Sequence, residues 1–372
     1  MELEKITPVE QRKLNRNNIY QFIRNAKNTS KKDIADSLQL SLPTVTQNLK
    51  ELEAEGLVIR EGLYDSSCGR KAQIIACNPT AFFAIGVEVL KEEINIVAVD
   101  LMGTQIRTLS MPVKYFHEST FYEYLGKQIL LFSSSLGCQP RQIIGVAVAL
   151  QGLISLDGQD VVYGMVMNNT GAKLSSISEY VPFPCRIVHD AKAAAFTELW
   201  FRKIRNAFYI GLNHNVGSAA IVDGQIQYGV HARSGAIEHM CIVPHGRQCY
   251  CGRHGCMEMY CSGDNLEHES GLSIDAFFKC LHKGDETCNR IWQTYLEHLA
   301  FTIDNIRFVL DSPIVLGGTI SNYLTEGDIA KLFDLTQPAS FCELDILRGI
   351  CNHYPSATGG ALMLVHDFIK VI

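Results

Sequence analysis

The sequence predicts an α/β protein in two parts, a small three-helix unit closed by a β-hairpin and a larger body of two related lobes. Three observations predict it. Helical spacing of apolar residues dominates up to Gly56, strand-like runs take over from Phe82, and the strand-rich order of residues 82–150 recurs between 185 and 369. The length of 372 residues agrees, since one domain takes ~150 residues.

In the small unit, NNIYQFIRNA (17–26) sets Ile19, Phe22, Ile23 and Ala26 at helical spacing and predicts a first helix. Ser30 followed by Asp33 is the start signature of a second, in which Ile34, Ala35 and Leu38 repeat at three and four. Ser41 caps a third, LPTVTQNLKELEAEG, with Pro43 in the first turn and Gly56 as its stop. Val45, Leu49 and Leu52 then face inward, which leaves Thr44, Thr46, Gln47, Asn48 and Lys50 outward. The alternation in 57–78 predicts a two-stranded hairpin, so the unit reads as a winged helix-turn-helix, with a linker over 65–80.

In the body, FFAIGVEV, INIVAVDL and TQIRTLSMPV are three strands, followed by a helix near 119–136 and the strand IIGVAVAL. CRIV, a helix DAKAAAFTELWF, the strands AFYIGL and GSAAIVDGQIQYG, two helices between 273 and 311, the strand PIVLGG and a last helix near 356–369 repeat the theme. Two such halves make an actin-like fold of the sugar kinase and hexokinase type. The expected units are 1–78, the DNA-binding domain with its linker, 79–190, the first lobe, and 191–372, the second lobe, with its last helix returning towards the first.

Composition excludes several classes. No apolar run reaches the ~18 residues of a membrane span and the charged MELEKITPVEQRK is no signal peptide, so the expected compartment is the cytoplasm. Thirteen cysteines spread through a chain of this length predict reduced thiols rather than a disulfide framework. The net charge of −6 is uneven: residues 1–78 hold 12 Lys/Arg and 10 Asp/Glu, and residues 79–372 hold 21 and 29. Contact with nucleic acid is therefore expected of the first segment alone.

A helix-turn-helix lays one helix in the major groove, where base edges carry a readable donor and acceptor pattern. Ser41, Thr44, Thr46, Gln47, Asn48 and Lys50 are the expected DNA-contacting residues, with the amides of Gln47 and Asn48 suited to adenine. The most specific local signal is His239-x9-Cys249-x-Cys251-x4-Cys256. Three thiolates and an imidazole are a closed tetrahedral set for a structural zinc ion, with a buried or reactive thiol cluster as the alternative; His245, His254, Cys241 and Cys261 stand outside the set.

From Asn17 to Asn78 the chain resembles the DNA-binding module of the ROK family, a group of repressors and sugar kinases, and residues 79–372 resemble the rest of that family. LSLPTVTQNLKELEAEGLV, the CGRK linker, the VDG turn at 222–224, the His239 to Cys256 cluster and IVLGGTIS carry the match. The resemblance implies that Arg70 and Lys71 form an arm entering a minor groove, where a narrow A·T-rich stretch attracts Arg. It places a sugar near His189, Asp190, Glu238, His239 and Glu258. Asp190 matches the kinase base, although on the sequence alone it reads first as a helix N-cap, and Glu258 also reads as a helix-start carboxylate.

Departures from the pattern bear on catalysis. Where related kinases carry Asp-Ile-Gly-Gly-Thr, this chain has Glu88, Val89, Leu90, Lys91 and Glu92. In place of Gly-Thr-Gly-x-Gly it has Asn213, His214, Asn215, Val216 and Gly217. Phosphate cradles need glycines that let backbone N–H groups approach, so the expectation is a non-catalytic relative. In the sugar pocket, His189 replaces an Asn and Ala236 replaces a Glu. The expected protein is a homodimeric or homotetrameric repressor of carbohydrate genes that binds double-stranded operator DNA, a small carbohydrate effector and structural zinc, with no membrane partner. The alternatives are a sugar kinase with a DNA-binding module and a ligand-independent DNA binder that uses the body as a scaffold.

Overall fold

The computed structural model describes residues 7–63, 73–336, 345–351 and 353–372. The first helix, α1 (Pro8–Ala26), begins nine residues before the predicted one. Thr7 and Glu10 cap each other's backbone N–H groups with Pro8 at the first position, a start signal that lies ahead of any apolar periodicity. The polar first turns are tied down by the ion pairs Arg12–Glu51 and Arg16–Glu55. Ala26, expected inside, is exposed, and Tyr20 is buried in its stead.

A short strand β1 (Asn28–Thr29) precedes α2 (Lys31–Leu38), which starts on the predicted Ser30–Asp33 capping box. Ser41 accepts from the Thr44 N–H to open α3 (Leu42–Ala54). Strands β2 (Val58–Leu63) and β3 (Gln73–Cys77) form the wing, with β1 on its other side in the order β1-β3-β2. Residues 73–77, part of the expected linker, are thus a paired strand. Ile19, Ile23, Ile34, Val45, Leu49 and Leu52 fill the core of the module as their spacing required.

In the first lobe, β4 (Phe83–Val89), β5 (Glu93–Asp100) and β6 (Gln105–Pro112) form an antiparallel meander, and α4 (Ser119–Ser134) leads to β7 (Ile143–Leu150), parallel to β4. A hairpin of β8 (Leu153–Ile154) and β9 (Val161–Tyr163) and the short α5 (Leu174–Ser178) precede β10 (Cys185–His189), parallel to β7. CRIV, read from the sequence as opening the repeat, is therefore the fifth strand of the first sheet, ordered β10-β7-β4-β5-β6.

The second lobe opens with α6 (Asp190–Thr197) and the strands β11 (Ala207–Leu212), β12 (Val216–Val222) and β13 (Gln225–Ile226). Helices α7 (Glu258–Cys261), α8 (Gly263–Ser270), α9 (Ile274–His282) and α10 (Glu286–Arg307) follow, then β14 (Ile314–Gly317), α11 (Glu326–Leu335), β15 (Ile346–Arg348) and α12 (Pro355–Lys370). Its sheet, β13-β12-β11-β14-β15, repeats the first one, a meander extended by two parallel strands.

α12 crosses back over both α6 and β4. Two glycines permit this: a Cβ at Gly86 would lie 1.7 Å from the Ala357 carbonyl oxygen, and one at Gly359 would lie 1.7 Å from that of Ala193. The far end of α12 meets the DNA-binding module. Asn17 donates its side-chain N–H to the Ile369 carbonyl, Phe368 packs on Phe82 at 4.9 Å, and one apolar core runs from Ile19 and Leu49 to Ile369.

Candidate functional site

A cavity of about 460 Å³ opens between the lobes, walled by the ends of β10, α6 and β12 and by the long loop before α7. His189, Asp190, Glu238 and His239 line it, as expected. The His189 Nδ1 atom lies 3.1 Å from Asp190 Oδ1 but is not aligned to bond it, which leaves a buried polar nitrogen without a partner. Asp190 is the first residue of α6 and not its cap: the cap position is His189, and the Asp190 carboxylate accepts from the Ala191 N–H at 2.7 Å. Its negative charge remains where a helix N-terminus favours one.

Glu238 is half-buried, accepts from the Ser218 hydroxyl at 3.1 Å and has its pKa pushed up by desolvation. Glu258 is not on the cavity wall. It accepts from the Asn215 side chain and the Val216 N–H, each at 2.8 Å, and burial raises its carboxyl to about 7. The structure makes it a positioning residue for Asn215, which does line the cavity. Gln151, Asn215, Arg233 and Tyr250 are wall residues that sequence reasoning missed. Asn215 sits in the segment 213–217 that the sequence reading compares with a kinase phosphate loop.

A second cavity of about 560 Å³, lined by the segments that resemblance aligns with the kinase phosphate loops, forms the nucleotide half of the cleft by analogy only. Glu88, Lys91, Glu92, Glu93 and Asp264 line it, and Asp190 borders both cavities. Glu88 is buried, accepts from Asn95 Nδ2 at 3.1 Å and from the Ser356 hydroxyl, and is held above the ordinary carboxylate range by its burial. The turn after β4 is a tight hairpin in which the Leu90 N–H bonds the Glu93 carbonyl.

Beside the first cavity, His239, Cys249, Cys251 and Cys256 place their ligand atoms within 4.8 Å of one another. His239 Nδ1 and Cys249 Sγ are 3.6 Å apart, and Cys251 Sγ and Cys256 Sγ are 3.7 Å apart. A tetrahedron with metal–sulfur bonds of about 2.3 Å has edges of about 3.8 Å, so these two separations are compatible with a zinc ion. Burial lowers the His239 pKa, which favours the neutral imidazole that a metal requires. Cys241, His245, His254 and Cys261 stay outside the cluster.

On the DNA-binding module, Ser41, Gln47 and Lys50 are exposed, and Thr44 and Thr46 are half-buried. Gln47 donates to Glu51 at 2.8 Å, one turn on. Asn48 is a correction: it is 3% exposed, and its side chain donates to the Thr44 carbonyl at 2.8 Å. Its position one residue before Leu49 turns it under the helix, and it cannot reach a base from there. Leu42 and Pro43, exposed at the start of α3, are candidates that the sequence reading passed over. Arg70 and Lys71 lie outside the described residues.

Known proteins resemble the chain in both parts. The winged helix-turn-helix DNA-binding family matches residues 13–59, and the ROK family matches residues 84–334. The xylose repressor of Bacillus subtilis is 28% identical over 291 residues, covering 74% of each chain. The DNA-binding transcriptional dual regulator NagC of Escherichia coli is 25% identical, covering 83% of this chain and 81% of its own. A solved ROK family transcriptional regulator, described as a homolog of the E. coli MLC protein, superposes with a TM-score of 0.80 at 18% identity, over 97% of this chain and 98% of its own, and shows the fold. With its duplicated lobes matched along most of their length, the chain belongs to the ROK family and carries a winged helix-turn-helix ahead of the family domain.

Proposed function

We propose that this protein is a sequence-specific DNA-binding repressor of carbohydrate-metabolism genes whose operator affinity is set by a small sugar or sugar derivative in the inter-lobe cavity. One observation carries the reading: α12 touches both working parts. Its first turn brings Ser356 to the wall of the cavity, and its last turn is bonded to α1 of the DNA-binding module. The likeness to a xylose repressor and to a DNA-binding transcriptional dual regulator, and the exposed face of α3, support it.

The functional units are residues 1–78, 79–190 and 191–372. Ser41, Thr44, Thr46, Gln47 and Lys50 face DNA, with Arg70 and Lys71 as the minor-groove arm. One such module reads one half-site, so a homodimer or homotetramer is the working form on a two-fold operator. His189, Asp190, Asn215 and Glu238 offer the sugar hydroxyls donors and acceptors that lack full partners in the empty fold. Ligand shifts the DNA-binding equilibrium only by the difference between its affinities for the two arrangements of the lobes.

His239, Cys249, Cys251 and Cys256 would hold a zinc ion, which would cross-link the loop in a structural role. That loop presents His239, Tyr250 and Arg253 to the cavity. The cleft is non-catalytic in this reading: an acid-lined turn with bulky side chains stands where a kinase cradles triphosphate, and like charges there repel phosphates. The compartment is the cytoplasm, where operator DNA and imported sugars meet; among the described residues no helix is long and apolar enough to cross a membrane.

The test is fluorescence anisotropy on DNA fragments that the protein itself selects from a random pool, titrated with xylose, N-acetylglucosamine, glucose and their phosphates. One of them should weaken or strengthen binding saturably, and no response to any would refute the sensor. The Ala236 in the wall, where the resemblance expects a Glu, favours the second reading, a ligand-independent binder, and predicts no thermal shift with any sugar. ADP release in a coupled assay with any hexose would overturn both.

A further inference from the structure

A third cavity, of about 210 Å³, lies behind His189 on the side of the first lobe away from the nucleotide half of the cleft. It is bounded by Arg186 and His189 of β10, Lys192 of α6, Tyr228, Asp157 and Met363 of α12. At ~30 Å³ for each water molecule it has room for about seven, or for a small oxyanion with its hydration.

Two cations belong to its wall, and each is short of partners. Lys192 is 3% exposed, yet its Nζ has one hydrogen bond, to the Ala232 carbonyl at 3.1 Å, and sits 4.6 Å from the centre of the Tyr228 ring. Among the described residues no carboxylate pairs with it, and the charge of Glu238 acts on it only from a distance. Burial lowers its pKa to about 8, so at neutral pH it remains mostly an ammonium ion. Arg186 spends Nη1 on Asp367 at 2.8 Å, whereas its Nε and Nη2 are sealed from solvent and have no acceptor. Tyr228 links the two cations, since its ring carries Lys192 and the Arg186 charge acts on its hydroxyl. The rim carboxylate, Asp157, is engaged by Ser155 and by the Gln159 N–H, so it does not satisfy either cation.

A buried cation with spare donors costs free energy unless an anion meets it, and two orphaned guanidinium N–H groups compound that cost. We propose that this cavity binds a small oxyanion, a phosphate or carboxylate group, between the Lys192 ammonium and the Arg186 guanidinium. Charge-assisted bonds of this kind are the stronger class, and the planar guanidinium fork suits two oxygens of one group. His189 forms a wall of both this cavity and the one between the lobes, so the two sites are one side chain apart.

The experiment is a thermal-shift titration of the full-length protein with inorganic phosphate, acetate and a hexose 6-phosphate, at ionic strength held constant with chloride. Wild type should show a saturable rise with at least one of them. Either Lys192→Met or Arg186→Gln should raise the half-saturating concentration about tenfold, the loss expected of one charged hydrogen bond. A lower half-saturation for the hexose phosphate than for phosphate identifies the group as part of a sugar phosphate, the reverse as a free ion, and a response to acetate alone as a carboxylate. No rise with any of the three, or a rise that survives both substitutions, overturns the proposal. Arg186 lies partly exposed at the cavity edge, so Arg186→Gln gives the answer even if Lys192→Met fails to fold.

Discussion

The two halves of the cleft share Asp190 and Asn215 as common wall but differ in chemistry. The sugar half presents the His189 ring, the amides of Gln151 and Asn215 and the loop that carries the thiol cluster, groups that can exchange hydrogen bonds with hydroxyls. The nucleotide half presents Glu88, Glu92, Glu93 and Asp264 against Lys91, and burial raises the pKa of Glu88. One half thus carries groups suited to hydroxyls, while the adjoining one is lined mostly by acidic side chains. The comparison teaches that two halves of one cleft can differ in charge on a shared frame, because α12 packs against both α6 and β4.

The substitution that should break both halves together is Gly359→Ala. Helix propensity alone favours Ala by ~1 kcal/mol. The new Cβ would meet the Ala193 carbonyl oxygen, a backbone atom of α6 that cannot step aside, at 1.7 Å, and overpacking of that kind costs about 3 kcal/mol. The collision wins, and the urea midpoint should fall; an unchanged or higher midpoint would mean that α12 does not brace the cleft.

Cys249→Ser should separate the halves. With one ligand gone the loop of 239–256 loses its cross-link, and a sugar must then order two or three residues at ~1 kcal/mol each, or about 100-fold in affinity. Zinc content by atomic absorption and sugar affinity should drop together, with operator binding by the sugar-free protein retained. Asp190→Asn is milder. It keeps the shape and removes the charge, and about tenfold weaker sugar binding in calorimetry is expected for one charged hydrogen bond; unaltered affinity would take Asp190 out of the site.

How much of this was legible in the sequence depended on how local the cause is. Ser30–Asp33 and Ser41 specify their helices within four residues, and they were readable. The His239 to Cys256 set was readable because metal geometry demands those residue types at short spacing. Asn48 was misread because a polar residue on an amphipathic helix was assumed to face out, whereas an amide can bond the carbonyl four residues back and lie inside. Glu258 was placed in the pocket by resemblance, and only the fold shows that it acts through Asn215. β15 and α11 went unread; three residues of strand in a parallel pair carry no pattern of their own.

The smallest effect sharpens the comparison most. Glu88→Gln keeps the volume and the acceptor oxygen while removing the titratable group. If Glu88 is neutral in the folded state, the substitution should change stability by under ~1 kcal/mol at low pH, as volume-conserving swaps do. The sign of the pH dependence follows from linkage. Burial raises the folded pKa of Glu88 above its ordinary 4.5, so between those two values the folded protein holds a proton that the unfolded chain has released. Wild type should therefore lose stability relative to Glu88→Gln as pH climbs above 4.5, and the gap should stop widening once the folded carboxyl ionises. Denaturant midpoints across that range measure it. A gap that narrows with rising pH would mean a carboxylate stabilised as the anion, as a magnesium ligand or phosphate-site base requires, and the nucleotide half would then have kept the electrostatics of a kinase.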